Sequence, residues 1–240
     1  MENEATISGM RDALDQFDRG WLAALEHAPA VDLWGALVGL TRLGEQPTRL
    51  DRLAAVLDRT VSDTEDLLRQ NFTVHIQNGD VDWAEEFPGD QTRRTLSIGD
   101  RQIPMKQGCA PDLIAIAALL DVPFSAEEPC AATGTPIRIT FTPNGIEQVE
   151  PPSAVAAVLP PEQAGAHASG TISQIDAGVC VFQPFFASAD AAEEWLAAHP
   201  GGRVFTIEEM FQRPIFTYYR DHLRPRIHPE PGSRKGPESK

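Results

Sequence analysis

The sequence predicts an α+β protein in which a helical, winged-helix-like N-terminal domain packs on a mixed β-sheet domain. Two observations carry this. The apolar period is helical as far as residue 72 and then changes to alternation. Beyond Pro88-Gly89-Asp90, short strands and helices intermingle. The chain has 240 residues, 42% of them apolar, which is enough for a large core.

In the N-terminal part, Leu14, Phe17, Trp21, Leu22 and Leu25 recur at helical spacing, and Leu33, Trp34, Leu37, Val38, Leu40 and Leu43 do so again. Gly44 breaks the pattern. Pro47 precedes a third run, Leu50, Leu53, Ala54 and Leu57. Ser62-Asp63-Thr64-Glu65 reads as a capping box with Ser62 as N-cap of a fourth helix. Short helices after longer ones resemble a helix-turn-helix unit. Phe72, Val74 and Ile76, then Asn78-Gly79, then Val81 and Trp83 predict a hairpin that serves as the wing. The domain boundaries are placed at 1–88, 89–224 and a disordered tail, 225–240, rich in Pro, Gly, Arg and Lys.

In the second part, a hairpin is expected from Thr95 to Pro104 around Gly99-Asp100. A compact helix follows from Asp112 to Leu120, closed by Asp121-Val122-Pro123. Ile137 to Phe141 alternates as a strand, turned by Asn144-Gly145 and returned by Ile146 to Val149. Ala154 to Leu159 and Gly178 to Phe186 read as apolar strands. Ala191 to Ala198 and Thr206 to Phe211 read as helices.

Charge narrows the function. Lys and Arg number 20 against 35 Asp and Glu, a net charge of −15. Such a chain repels phosphate backbones and anionic lipid heads, so neither nucleic acid nor membrane is an expected partner. No apolar run reaches the ~20 residues of a membrane helix. The acidic start Met1-Glu2-Asn3-Glu4 is followed by no signal-like apolar stretch, so a cytoplasmic location is expected. One alternative reading is a metal-sensing helix-turn-helix transcription regulator. Against it, residues 1–72 hold seven Arg and no Lys against thirteen acids, a net of −6. The presumptive recognition helix, Asp63 to Gln70, carries three acids and only Arg69. The six histidines are scattered, with no Cys-x-x-Cys or His-x-x-x-His pair, which disfavours a structural zinc site. No phosphate-binding glycine loop is present.

Three cysteines, an odd number, argue against a disulfide framework. Pro111 suits a first helical turn, which puts Cys109 at or just before a helix N-terminus, where a thiol is activated. Asp112 falls in the same turn. Its plain structural role would be to complement the helix dipole, and Cys180 could equally be a small core hydrophobe.

The residues Cys109-Ala110-Pro111-Asp112, then Cys130-Ala131-Ala132-Thr133-Gly134, then Cys180 five residues before Phe185-Phe186-Ala187-Ser188 resemble the organomercurial (alkylmercury) lyases. Ile146 to Pro151 and Glu194-Trp195 fit the same family, and Gly44 to Gln70 is similar to its helical leader. The resemblance covers most of residues 35–225 and is densest from 109 to 200. It implies protonolytic cleavage of carbon–mercury bonds in mercury detoxification. Cys109 and Cys180 would be the mercury-binding cysteines, Asp112 the catalytic carboxylate and third metal ligand, and Cys130 a structural residue. It implies no organic cofactor, with Hg(II) held as product until cellular thiols or a mercuric reductase take it. Water would be excluded by the apolar strand around Cys180 and by Phe182, Phe185 and Phe186. Where the family places bulky aromatics before the first cysteine, this chain has Lys106-Gln107-Gly108. That departure points to an altered organic group, or to another organometal such as an organotin or organolead compound.

Overall fold

The computed structural model describes residues 15–229 apart from 26–28, 45, 85–93, 106–107 and 166–169. The expected domain boundary at Pro88, the Lys106-Gln107 pair and the tail beyond 229 lie outside the described residues.

Helices α1 (Gln16–Leu25) and α2 (Pro29–Thr41) come first. In α2, Leu33, Leu37 and Val38 are fully buried. A two-residue strand, β1 (Thr48–Arg49), leads into α3 (Leu50–Leu57) and α4 (Val61–Asn71). The N-cap of α4 is Thr60, not Ser62: Thr60 is extended and its hydroxyl accepts the Asp63 N–H at 3.1 Å. Ser62 therefore falls inside the first turn. The wing forms as expected from β2 (Thr73–Gln77) and β3 (Asp80–Ala84), with Asn78 and Gly79 both at positive φ as a tight hairpin turn demands. β1 adds a third strand to it.

The second part is built on two sheets. The larger contains β4 (Arg94–Ile98), β5 (Arg101–Met105), β6 (Phe124–Pro129), β7 (Pro136–Thr142) and β8 (Gly145–Glu150), in the order β5-β4-β6-β7-β8. Helix α5 (Ala110–Leu119) lies between β5 and β6 in sequence. The smaller sheet has β9 (Val155–Val158) at its centre, flanked by β10 (Phe185–Phe186) and β11 (Arg203–Thr206). β9 is buried along its whole length, which is why it reads as a continuous apolar run. Every described strand pairing is antiparallel, where a mixed sheet was expected.

Two further expectations are corrected. The run from Gly178 to Phe186 is not one strand. It divides into the end of α7 (Ile172–Gly178), a 3₁₀ turn at Cys180–Phe182, and β10; the short helix α6 (Pro161–Gly165) precedes α7. Thr171 starts α7 with a reciprocal capping box to Gln174, and that nucleated helix absorbs the first part of the run. The expected disordered tail is also helical at its start. After α8 (Glu193–Ala198), α9 (Ile207–Phe211) and α10 (Pro214–Tyr218), a π-helical turn (Tyr219–Leu223) continues into α11 (Arg224–Ile227). Ile227 is buried against Gly39 of α2, where a Cβ would come within 2.7 Å of its Cδ1. An apolar anchor thus orders a segment whose composition suggests otherwise.

One continuous core runs from Leu33 and Leu37 of α2 through Leu113 and Ile116 of α5 to Phe141 of β7. No described helix is long and apolar enough to cross a membrane. The turn after α2 is tied to the end of α5 by Arg42, which donates to both carboxylate oxygens of Asp121 at 2.8 and 2.7 Å. Burial acts to raise the Asp121 carboxyl, but the hydrogen bonds of Arg42 and the charges of His228 and Arg42 outweigh it and hold it below the usual range. A depressed folded-state value means the pair stabilises above the ordinary carboxylate pKa of ~3.9 and loses its effect as pH falls through the lower folded value. Asp121→Asn should therefore cost about 0.5–1 kcal/mol at neutral pH. In urea melts the gap between variant and parent should close on acidification below about pH 4. A gap that persists unchanged in acid would assign the loss to packing.

Candidate active site

Helix α5 sets the geometry. Eight of its residues are buried apolar side chains, and Pro111 lies in its first turn. Cys109 is the N-cap, with extended backbone. Its N–H donates to Asp112 Oδ2 at 2.7 Å, and the Asp112 N–H faces the Cys109 sulfur in return. Cysteine thus takes the place that Ser or Thr occupies in a capping box. Gly108, at φ +118°, brings the chain into this cap. The next free N–H, that of Ala110, donates to the Gln183 carbonyl at 2.7 Å. That bond joins the turn carrying Cys109 to the turn carrying Cys180.

The Cys180 turn is held from several sides. The Gln183 N–H donates to the Cys180 carbonyl at 3.2 Å, and Gln183 Oε1 accepts the Leu159 N–H at 2.9 Å. Trp195 Nε1 donates to the Phe182 carbonyl at 2.8 Å. The outcome is a compact cluster: Cys109 Sγ, Cys180 Sγ and a carboxylate oxygen of Asp112 all lie within 4.8 Å of one another. The two cysteines are buried and Asp112 is half-buried. Burial pushes the Cys109 thiol up; a hydrogen bond from Cys180 opposes this, and the Asp112 charge adds to it.

The cluster opens into a cavity of about 130 Å³. Its walls are mostly apolar. Phe17 and Trp21 come from α1, Trp34 from α2, Ile172 and Ile175 from α7, and Phe216 and Tyr219 from the C-terminal helices. Burial pushes the Tyr219 hydroxyl well above the ordinary tyrosine value, with the Asp32, Tyr218 and Asp112 groups adding to it. One ion pair also lines the cavity: Arg213 Nε donates to Asp18 Oδ1 at 2.9 Å.

The chain's similarity to known proteins matches this geometry. The family model described as alkylmercury lyase fits residues 96–216, half of the chain. The chain belongs to the alkylmercury lyase family. It is 38% identical over 104 residues to the alkylmercury lyase of Bacillus cereus, a stretch covering 43% of this chain and 44% of that protein. It is 28% identical over 186 residues to the alkylmercury lyase of Streptomyces lividans, covering 76% and 81%. The match to the Bacillus cereus protein thus spans less than half its length. Among solved structures, the mercury-bound form of MerB2 aligns over 88% of this chain and 98% of that one, with a TM-score of 0.53 at 16% identity, a likeness of fold.

The structure brings together the three residues singled out in the sequence, Cys109, Asp112 and Cys180, and leaves Cys130 outside the cluster. Cys130 is buried in the loop after β6, its sulfur accepting the Ala187 N–H at 3.3 Å. Burial acts to raise its thiol, but hydrogen bonds from Thr133 and Ala187 outweigh this and leave it lowered. The expected water-excluding residues are corrected. Phe182 is 45% exposed, and Phe185 and Phe186 are buried but do not line the cavity. The walls come instead largely from α1, α2, α7 and the C-terminal helices. The spacing of Phe17, Trp21 and Trp34 marked an apolar face without revealing that it faces a cavity. Gln183 and Arg94 were also missed. Arg94 Nη1 donates to the Cys109 carbonyl at 2.8 Å.

The approach to the cap depends on Gly108, whose φ of +118° is open to glycine but strained for any other residue. The space at that position is ordinary, the nearest atom to an added Cβ being Asp112 Oδ2 at 3.5 Å. Gly108→Ala should then lose about 1–3 kcal/mol through backbone strain. Chemical denaturation measures this, and an unchanged midpoint would contradict it.

Proposed function

We propose that this protein cleaves the carbon–mercury bond of organomercurials by protonolysis, releasing a hydrocarbon and retaining Hg(II). The observation that carries this is the meeting of two thiols and a carboxyl within 4.8 Å at the wall of an apolar cavity, inside the segment that matches the alkylmercury lyase model.

The chemistry follows from the donor set. Thiolate sulfur is the soft ligand that selects a soft metal. Cys109 binds the organomercurial R–Hg–X, giving its thiol proton to the departing X. Cys180 binds next and its proton passes to the Asp112 carboxylate. Two thiolates on mercury weaken the carbon–mercury bond and load electron density on carbon. Asp112 returns the proton to that carbon, the bonding pair becomes a C–H bond, and R–H leaves. Mercury stays Hg(II) throughout, so no oxidant, reductant or organic cofactor enters the balance. Cellular thiols or a mercuric reductase would then take the ion from the two sulfurs. Burial supports the proton step, because a low local dielectric strengthens every charge interaction around the carbon.

The cavity supports a substrate class. Its ~130 Å³ is comparable to the roughly 150 Å³ apolar cavity that holds benzene. Apolar organic groups from methyl to phenyl fit this reading. The regulator reading has less support: α4 carries Asp63, Glu65 and Asp66, and its lone Arg69 is already paired with Glu65.

The direct test is to incubate the reduced protein with phenylmercury and excess thiol and to assay benzene and Hg(II). Cys109→Ser and Cys180→Ser should each abolish release. Cys130→Ser should keep turnover and lose ~1–3 kcal/mol of stability. Turnover surviving in either of the first two variants would end the two-thiolate model.

Asp112→Asn separates binding from cleavage. Asparagine retains an oxygen for the Cys109 N–H, so the cap at 2.7 Å can persist, but it cannot carry the proton. Hg(II) binding should remain while single-turnover release of hydrocarbon falls by roughly 10²–10⁴-fold. Single-turnover measurement removes the influence of slow product release. A near-normal rate in the folded variant would leave Asp112 a cap and nothing more.

A further inference from the structure

Arg94 opens β4, and its side chain has no exposed surface. Its Nε donates to Glu128 Oε2 of β6 at 2.6 Å, and Glu128 is 4% exposed. Nη1 donates to the Cys109 carbonyl at 2.8 Å, while Nη2 has no hydrogen-bond partner among the described residues. The guanidinium lies over the Phe185 ring, 5.6 Å from its centroid. A buried ion pair is a poor device for stability alone, since apolar side chains of similar volume usually serve as well or better. What an apolar pair could not supply is the bond to Cys109. The Cys109 carbonyl otherwise receives the Leu113 N–H at a long 3.4 Å. Gly108 locates the cation relative to the site. A Cβ there would lie 3.6 Å from Arg94 Nη1 and 3.5 Å from Asp112 Oδ2, so guanidinium and carboxylate flank the same point.

We propose that Arg94, charged and oriented by Glu128, is a positioning residue for the reaction: it clamps the Cys109 carbonyl from behind and fixes the turn that presents Cys109 and Asp112 to the metal. Its charge also offsets the negative charge that collects when two thiolates and a carboxylate surround one mercury. The inference deepens the reading of the site as an organomercurial lyase centre and rests on it. Arg94 lies just before the segment matched by the family model.

The test uses the full chain with Arg94→Met combined with Glu128→Gln, which leaves no buried unpaired charge, and Arg94→Lys as a second variant. Lysine keeps the charge but cannot span both Glu128 and the Cys109 carbonyl with a planar fork. Two readouts are taken: Hg(II) affinity in competition with a small dithiol, and single-turnover release of benzene from phenylmercury at saturating substrate. Removing a partner that orients a metal ligand typically costs 10–100-fold in affinity or activity. That loss is expected in the folded double variant, with partial recovery in Arg94→Lys. Wild-type affinity and rate in the folded double variant would reduce the pair to packing and overturn the proposal. If the double variant does not fold, Arg94→Lys decides alone: parental affinity and rate would overturn the clamp, and a loss in both would support it. A parent protein that binds Hg(II) but releases no benzene would sink the lyase reading, while the affinity comparison would still judge Arg94.

Discussion

The 2.7 Å bond from the Ala110 N–H to the Gln183 carbonyl is the interaction on which the site depends. Helix N-termini leave N–H groups without intrahelical partners, and a buried one cannot leave them to water. Here each of the first few finds a purpose-placed acceptor: Asp112 for Cys109, the Gln183 carbonyl for Ala110, the Cys109 sulfur for Asp112. Satisfying a helix cap and assembling a two-sulfur, one-carboxylate cluster are therefore the same act. Cys109 and Cys180, 71 positions apart, are brought together by a backbone demand.

That demand exists because α5 is buried on nearly every side. Its residues Leu113 to Leu119 all lie in the core shared by α2, β7 and β9. A helix so placed does not slide or tilt without opening voids, and interiors are packed as densely as organic crystals. The rigidity of the core passes directly to the sulfur at its N-cap. The cavity walls are built differently. The starts of α1 and α10, from distant parts of the chain, are tied by Arg213, which pairs with Asp15 and with the buried Asp18. The sulfur of Cys109 thus stands at the end of a core helix, while the facing wall is assembled from elements far apart in sequence.

Much of this was legible in the sequence, for physical reasons. Pro111 after a cysteine and before an apolar run announces a helix start. Asn78-Gly79 announces its hairpin, and both lie where expected. The misreadings share a cause, which is tertiary context overriding local pattern. Cys180 sits in an apolar run that reads as a strand, yet Thr171 caps a helix upstream and the remainder folds as a 3₁₀ turn. Ile227 lies in a stretch whose composition suggests disorder, yet it fills the notch left by Gly39. β6 has two glutamates and a proline and was not recognised as a central strand. The alternation was nonetheless present. Phe124, Ala126 and Glu128 share the inner face of β6, as Arg94, Leu96 and Ile98 share that of β4. A charge in register with core residues on two neighbouring strands is the signal that would have found the Arg94–Glu128 pair.

The same burial that builds the site also governs what it accepts. A thiol pushed up by burial keeps its proton at neutral pH, so a metal must displace that proton to bind. Mercury, which binds thiolate sulfur very strongly, can meet this requirement. A harder or less thiophilic cation gains less from the sulfur and faces the same proton. The donor count works in the same direction. Structural zinc sites take four ligands, and this cluster offers three, one of them a carboxylate already accepting the Cys109 N–H. Two sulfurs beside a mostly apolar cavity suit an ion content with few soft ligands, and under the proposed function the remaining direction would be left to the organic group. Under the proposed function, selectivity for a soft, carbon-bound metal would follow from a helix cap made of cysteine and aspartate and set at the wall of an apolar cavity.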